Sequence, residues 1–340
     1  MINLKEICDQ NLDLLAGNHF DNLNPTDING YLVEDSLIMK LINYQESIED
    51  QNEKDIITFL LGTNFNQIYT LISGSPEELN SIINDFEANY DTSLISINRG
   101  KTAELTSFGN DLKKIFDYET YRSSQTCIEV FKSLEFDKSR PCPYCNIDTI
   151  EIVKYEDDTT NEEKEKALLD LDHFSPRCRF PFFALSFFNL IPSCIKCNQK
   201  FKSQLDFRVT THVNPYEIAL DDYFEFRTSI PLIVNMEPSD FNITYKQKVH
   251  QGVTFPQGSI EDLKLVERLE TKKEDIMRFF NAISRFNNGK NTANELAKKT
   301  LTLEYSIHDA LKDFGVTDNR NDIHRKELSK VYRDIFKNIS

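Results

Sequence analysis

Two short knuckles of identical spacing, Cys142 with Cys145 and Cys194 with Cys197, constrain this chain more than any other feature. A CxxC turn sets two thiolates on one side of a tight loop, and two such turns supply the four sulfurs of a closed tetrahedral zinc site. One pair alone could equally be a thiol redox motif; two pairs of the same spacing point to metal. Disulfides in a secreted protein are the competing reading. It is weakened by the odd total of 7 cysteines and by the lack of a recognisable signal peptide. Cys142, Cys145, Cys194 and Cys197 are therefore expected to hold a structural Zn²⁺ with no open coordination position. Cys8, Cys127 and Cys178 are left as small apolar fillers.

Between the knuckles, residues 169–174 alternate apolar and polar side chains as a short strand does. Asp172 and His173 would then point to opposite faces unless the strand bends or ends there. An imidazole titrating near neutrality suits the removal of a proton from water. A carboxylate with an amide oxygen beside it suits a hard cation such as Mg²⁺ or Mn²⁺. Asp172, His173 and Asn198 are thus the residue types that phosphodiester hydrolysis requires.

The run LDHF-SP, then NLIPSC, then CIKCN-QKFKS resembles the HNH nuclease superfamily, over about 60 of the 340 residues. The resemblance implies a ββα-metal core of two short strands, a loop and a helix. It also implies His173 as general base, Asp172 as a metal ligand, Asn189 as the residue that fastens the loop and orients the base, and Asn198 as completion of the metal site. One departure stands out: the basic residue belonging three places after Asn198 is Phe201, flanked by Lys200 and Lys202. A looser likeness, in Asn214-Pro215, is to HNH nucleases of bacterial defence loci, the Septu-type and retron-associated ones. That likeness implies an effector nuclease of an anti-phage system, partnered by an ATPase.

The rest of the chain frames this core. A length of 340 residues suggests two or three domains. The divisions expected are a helical N-terminal interaction domain over 1–137, the nuclease core with its zinc knuckles over 138–228, and a strand pair followed by helices over 229–340. The fold class expected is α+β and mostly helical, with the zinc-stapled core at its centre. In the first domain, one buried helix face continues from residue 55 to 72, and the next helix opens at Pro76 with acids in its first turn. A third helical stretch covers 111–121. His19 reads as a surface or packing residue. Residues 150–155 alternate like a strand, and 157–170 read as a charged loop and helix with a solvated face.

The aromatic run 180–188 is expected to form a small core rather than a base-stacking surface. His212 reads as a polar loop residue ahead of the Asn-Pro turn. Strands are expected at 223–228 and 243–248, and helices from Ser259 onward, broken at 287–289.

Charge complicates the nuclease reading. With 39 basic and 55 acidic residues the net charge is −16, a field that repels nucleic acid. The local basic cluster is Arg177, Arg179, Lys196, Lys200, Lys202 and Arg208, where a phosphate backbone, DNA in the first instance, could lie. No apolar run reaches the ~20 residues of a membrane span, and free thiols suit a reducing cytoplasm. Without a Walker-type loop, any ATP chemistry belongs to another protein. A single-metal site cuts one strand per event, so double-strand cleavage would call for two copies, a homo-oligomer, or two encounters. The competing class is a non-catalytic zinc module that binds nucleic acid or protein.

Overall fold

The computed structural model describes residues 2–282 and 325–339, apart from 9, 101, 137, 158, 160, 161 and 234. The expected breaker at 287–289 and most of the helical stretch after it lie outside these residues. The chain is α+β, with helices around four small antiparallel sheets among the described residues. Among the described residues, no helix is long and apolar enough to cross a membrane.

The first segment is helical, from Leu12–Leu23 through Pro76–Asn89 to Gln125–Ser133. Its caps are local chemistry: Ser75 and Glu78 form a reciprocal capping box, with Pro76 in the first turn. The expected continuous helix over 55–72 is two helices, Gln51–Leu61 and Asn66–Ser73. Gly62, at φ 68, breaks it. A Cβ there would lie 2.5 Å from the Gln67 Cβ, so glycine is what lets the chain turn. The stretch 111–121 divides likewise into Ser107–Ile115 and Tyr118–Arg122, where Asp117 caps the second helix. The sequence reading missed a hairpin between the helices Pro76–Asn89 and Ser107–Ile115, β1 (Ser96–Arg99) with β2 (Thr102–Leu105). Its short exposed strands turn at Gly100, φ 69.

The middle segment holds β3 (Arg140–Pro141), β4 (Thr149–Glu156) and β5 (Glu163–Leu168) in one sheet, and β6 (Asp170–His173) with β7 (Leu190–Ser193) in another. The charged stretch expected as loop and helix is therefore largely a strand. Six cross-strand pairs, from Glu151 with Leu168 to Glu156 with Glu163, join β4 to β5. Alternating Glu and Lys serve a solvated two-stranded ribbon as well as a helix, and pairings such as Lys154 with Glu163 and Glu165 select the ribbon. β8 (Phe224–Thr228) pairs with β9 (Ile243–Gln247), within one residue of expectation. The helix Ser329–Ile339 packs on β8, where Lys330 and Arg333 bury their charges against Asp221 and Asp334.

One buried hydrophobic cluster runs through all three segments. Phe180, Phe182, Phe183, Phe187 and Phe188 lie inside it, each at most 4% exposed. The N-terminal helices grip this aromatic loop: Phe86 meets Phe182 edge-on at 5.2 Å, His19 binds the Leu185 carbonyl at 2.8 Å, and the Ser186 hydroxyl donates to the Leu71 carbonyl. His19 is thus a packing residue.

Candidate metal centre and cleft

The sulfurs of Cys142, Cys145, Cys194 and Cys197 all lie within 4.8 Å of one another, and all four residues are buried. A Zn–S bond of about 2.3 Å sets tetrahedral sulfurs about 3.8 Å apart, and Cys145 Sγ lies 3.9 Å from Cys194 Sγ. Backbone N–H groups point at the sulfurs, from Cys194 to Cys142 at 3.3 Å, from Ile147 to Cys145 at 3.4 Å and from Cys197 to Cys194 at 3.4 Å. Burial pushes the Cys142 and Cys197 thiols well up. At Cys145 burial is outweighed by hydrogen bonds from the other three thiols, which hold it well below the usual thiol range. Four crowded sulfur donors of this kind can bind a structural zinc.

A residue far from the motif completes this centre. Arg268 donates to Cys197 Sγ at 3.1 Å and to Asp148 at 2.8 Å, and its guanidinium lies 5.0 Å from the Phe201 ring centre. Asp148 also takes the Lys196 ammonium at 2.6 Å. Four thiolates around one Zn²⁺ leave a net negative charge, which a buried cation offsets. Nothing in the local spacing around Arg268 announces this role.

A cleft of about 520 Å³ has Asn198, the residue after Cys197, on its wall, and is bordered also by Asp170, Asp172, His173, Tyr118 and Arg177 among others. β6 forms one wall, paired in register from Asp170 with Ser193 to His173 with Leu190. His173 is 7% exposed, and its Nε2 lies 3.1 Å from the Ala184 carbonyl oxygen. A carbonyl only accepts, so Nε2 carries the proton and Nδ1 keeps its lone pair. Burial, helped by the nearby Arg177, lowers the imidazole pKa to about 3, so the ring is neutral at ordinary pH. Tyr118 packs edge-on against it, with ring centres 4.5 Å apart, and donates its hydroxyl to the Leu171 carbonyl.

Asn189 accepts from the Ser175 N–H at 2.7 Å and donates to the Ser175 and Phe183 carbonyls, both at 3.1 Å. It closes the loop whose Ala184 carbonyl meets His173. Asn214 and Tyr216, in the Asn-Pro element, bind the Phe188 and Leu190 carbonyls at 3.3 and 3.1 Å and steady the same loop.

Asp172 is 1% exposed, with both carboxylate oxygens engaged: Oδ2 by the Tyr144 hydroxyl at 2.7 Å, Oδ1 by the Lys202 ammonium at 3.1 Å. Burial raises its pKa while Lys202 and Tyr144 oppose the rise. Asn198 is brought not to Asp172 but to Asp170, donating to its Oδ2 at 3.1 Å; Gln199 donates to the same oxygen at 2.9 Å.

The ambiguity over the lysines after Asn198 has a geometric origin. Residues Lys196–Lys202 form a wide helical turn in which the Ser203 N–H reaches the Asn198 carbonyl, five residues back, at 2.7 Å. The extra residue in the turn swings Lys202 inward, where it is 1% exposed and also binds the His173 carbonyl at 2.6 Å. Lys202 is thus an interior cation rather than the surface contact expected for nucleic acid. Lys200 faces solvent.

The other basic candidates have local partners. Arg177 pairs with Glu119 at 2.7 Å, Arg179 donates to Asn98 and to the Gly100 carbonyl, and Arg208 bridges Glu87 and Asp206. His212 is buried, stacked on Phe207 at 3.7 Å and paired with Asp262 at 3.0 Å. It lies in a loop, as expected, but its side chain is packed inward at the core's edge.

Comparison with protein-family models, curated proteins and solved structures finds no match to this chain.

Proposed function

We propose that this protein is a metal-dependent endonuclease of the HNH type that hydrolyses phosphodiester bonds, DNA being the first substrate to test. The observation that carries the reading is that one cleft is bordered both by His173, whose Nε2 bond to the Ala184 carbonyl leaves Nδ1 as the basic nitrogen, and by Asn198, the residue that follows the last cysteine of a buried four-sulfur cluster. In this reading His173 Nδ1 takes a proton from water as the new P–O bond forms and the bond to the leaving oxygen breaks. Asn189 holds the loop that supplies the Ala184 carbonyl, and so the base's orientation. The sulfur cluster, loaded with Zn²⁺, staples the turn that carries Asn198 and Lys202.

The cleft's oxygen donors fit a hard cation through Asn198 and an adjacent carboxylate. Asp172 does not fit as a direct ligand while Tyr144 and Lys202 hold both its oxygens. Bound there, Mg²⁺ or Mn²⁺ would supply charge neutralisation on the phosphate and leaving oxygen.

Residues 214–215 support, more loosely, a place among the effector nucleases of anti-phage defence, acting with an ATPase. The alternative, a non-catalytic zinc module, is favoured by the acid partners of Arg177, Lys196 and Arg208, which leave little free positive charge along the cleft. The two separate in one assay: purified protein is incubated with supercoiled plasmid and with RNA, with and without Mg²⁺. Mg²⁺-dependent nicking supports the enzyme; intact substrates under every condition, with zinc bound, support the module.

A further inference from the structure

We propose that Asp170, not Asp172, is the carboxylate that holds the divalent cation together with Asn198. This rests on the endonuclease reading above and names the ligand within it.

The pleat of β6 places Asp170 and Asp172 on one face of the strand, two residues apart. They differ in surroundings. Asp172 lies deeper, 1% exposed, between a hydroxyl and an ammonium that already satisfy its charge and both its oxygens. That ammonium is not free to leave: the His173 carbonyl binds it at 2.6 Å, and it lies 5.0 Å from the centre of the Phe207 ring. A dication on Asp172 would sit within a few ångströms of this buried positive charge, and like charges so close repel strongly where water is excluded. Reaching Asp172 would also mean breaking a buried ion pair, a costly step.

Asp170 is half-buried on the cleft wall. It takes part in no ion pair among the described residues, and its contacts there are two neutral amides, Asn198 and Gln199, both on Oδ2. Its carboxylate therefore borders the cleft with no cation in direct contact among the described residues, although Arg122 and Arg177 line the same cleft. A carboxylate and a carboxamide side by side are the oxygen donors a hard cation selects. Mg²⁺ keeps several of its waters, so one carboxylate and one amide oxygen are enough protein ligands. A terminal carboxamide also rotates readily between presenting its nitrogen and its oxygen. The juxtaposition of Asn198 with Asp170, rather than with the residue next to His173, is what the interior ion pair makes necessary.

The test is direct cation binding by the full-length, zinc-loaded protein. MnCl₂ is titrated by calorimetry and by the loss of the free Mn²⁺ paramagnetic resonance signal, for wild type, Asp170→Asn, Asn198→Ala and Asp172→Asn. The expected result is one Mn²⁺ site in the wild type, weakened about tenfold or more by Asp170→Asn and by Asn198→Ala, with zinc content and circular dichroism unchanged. Asp172→Asn should lower thermal stability but keep Mn²⁺ affinity. Wild-type affinity in Asp170→Asn overturns the assignment while leaving the endonuclease reading standing. Failure of the wild type to bind Mn²⁺, together with intact plasmid, removes both. Should Asp172→Asn not fold, the Asp170→Asn titration decides alone.

Discussion

His173 Nε2 donates to the carbonyl oxygen of Ala184 across 3.1 Å, and this contact determines which nitrogen of the imidazole can act as a base. Ala184 sits in the aromatic loop that Asn189 closes and that His19, Leu71 and Phe86 hold from the N-terminal helices. The tautomer is thereby set by packing that begins more than a hundred residues upstream, Ser186 and Leu71 lying 115 positions apart in the chain.

Replacing His173 by Ala is expected to lower cleavage at least about a hundredfold, the usual share of a positioned base. Zinc content should stay near wild type, while loss of the buried ring and of the Ala184 carbonyl's partner lowers the melting temperature without unfolding the protein. Wild-type cutting rates in this variant would remove His173 from the mechanism.

Asn189→Ala should act through the loop. It leaves the Ser175 N–H and the Ser175 and Phe183 carbonyls without their buried partner, at a cost on the order of 3 kcal/mol. Denaturant titration reads this as a lower midpoint with an unchanged slope. An unchanged midpoint would mean that the loop is held mainly by its phenylalanines.

Zinc should be integral to folding in this region. Cys194→Ala, or prolonged chelation, is expected to unfold the motif, since small zinc sites supply folding energy themselves. A milder probe is Arg268→Met, which removes the cation beside Cys197 while keeping an unbranched chain against Phe201. Competition with a colorimetric chelator should show zinc affinity reduced about 10- to 100-fold, as for other outer partners of metal ligands. Equal affinity would rule Arg268 out as the centre's counter-charge.

Acid should destabilise the fold through His19. Burial lowers its folded pKa to about 4, only partly opposed by its bond to the Leu185 carbonyl, against 6.5 as the reference value. Between these values the unfolded chain binds a proton that the folded one refuses, so stability is highest above pH 6.5 and declines as pH falls toward 4. The decline amounts to roughly 3 kcal/mol. His19→Gln should flatten that part of the pH–stability profile; an undiminished slope would assign the acid sensitivity to other groups.

Legibility varied with the range of the interactions. The helix start at Pro76 and the strand of residues 150–155 were readable because a few neighbouring residues decide them. The Glu/Lys-rich stretch 157–170 was misread because alternating charges suit a solvated helix and a solvated ribbon alike, and pairing with β4 chose between them. The break at Gly62 was missed because the apolar periodicity continues across it.

By itself, the sequence determined which donor groups are present: four cysteines in two tight turns, an imidazole next to a carboxylate, and an amide after the last cysteine. Spacing within a turn or strand is local, and local geometry needs no partner. Which atoms meet was decided only by the tertiary structure. Lys202 turns inward to Asp172, Asn198 reaches Asp170 across 28 positions, and Arg268 reaches Cys197 across 71. Such contacts depend on how a wide helical turn and a distant helix pack, and burial of charge makes them strong without leaving any periodic trace in the chain.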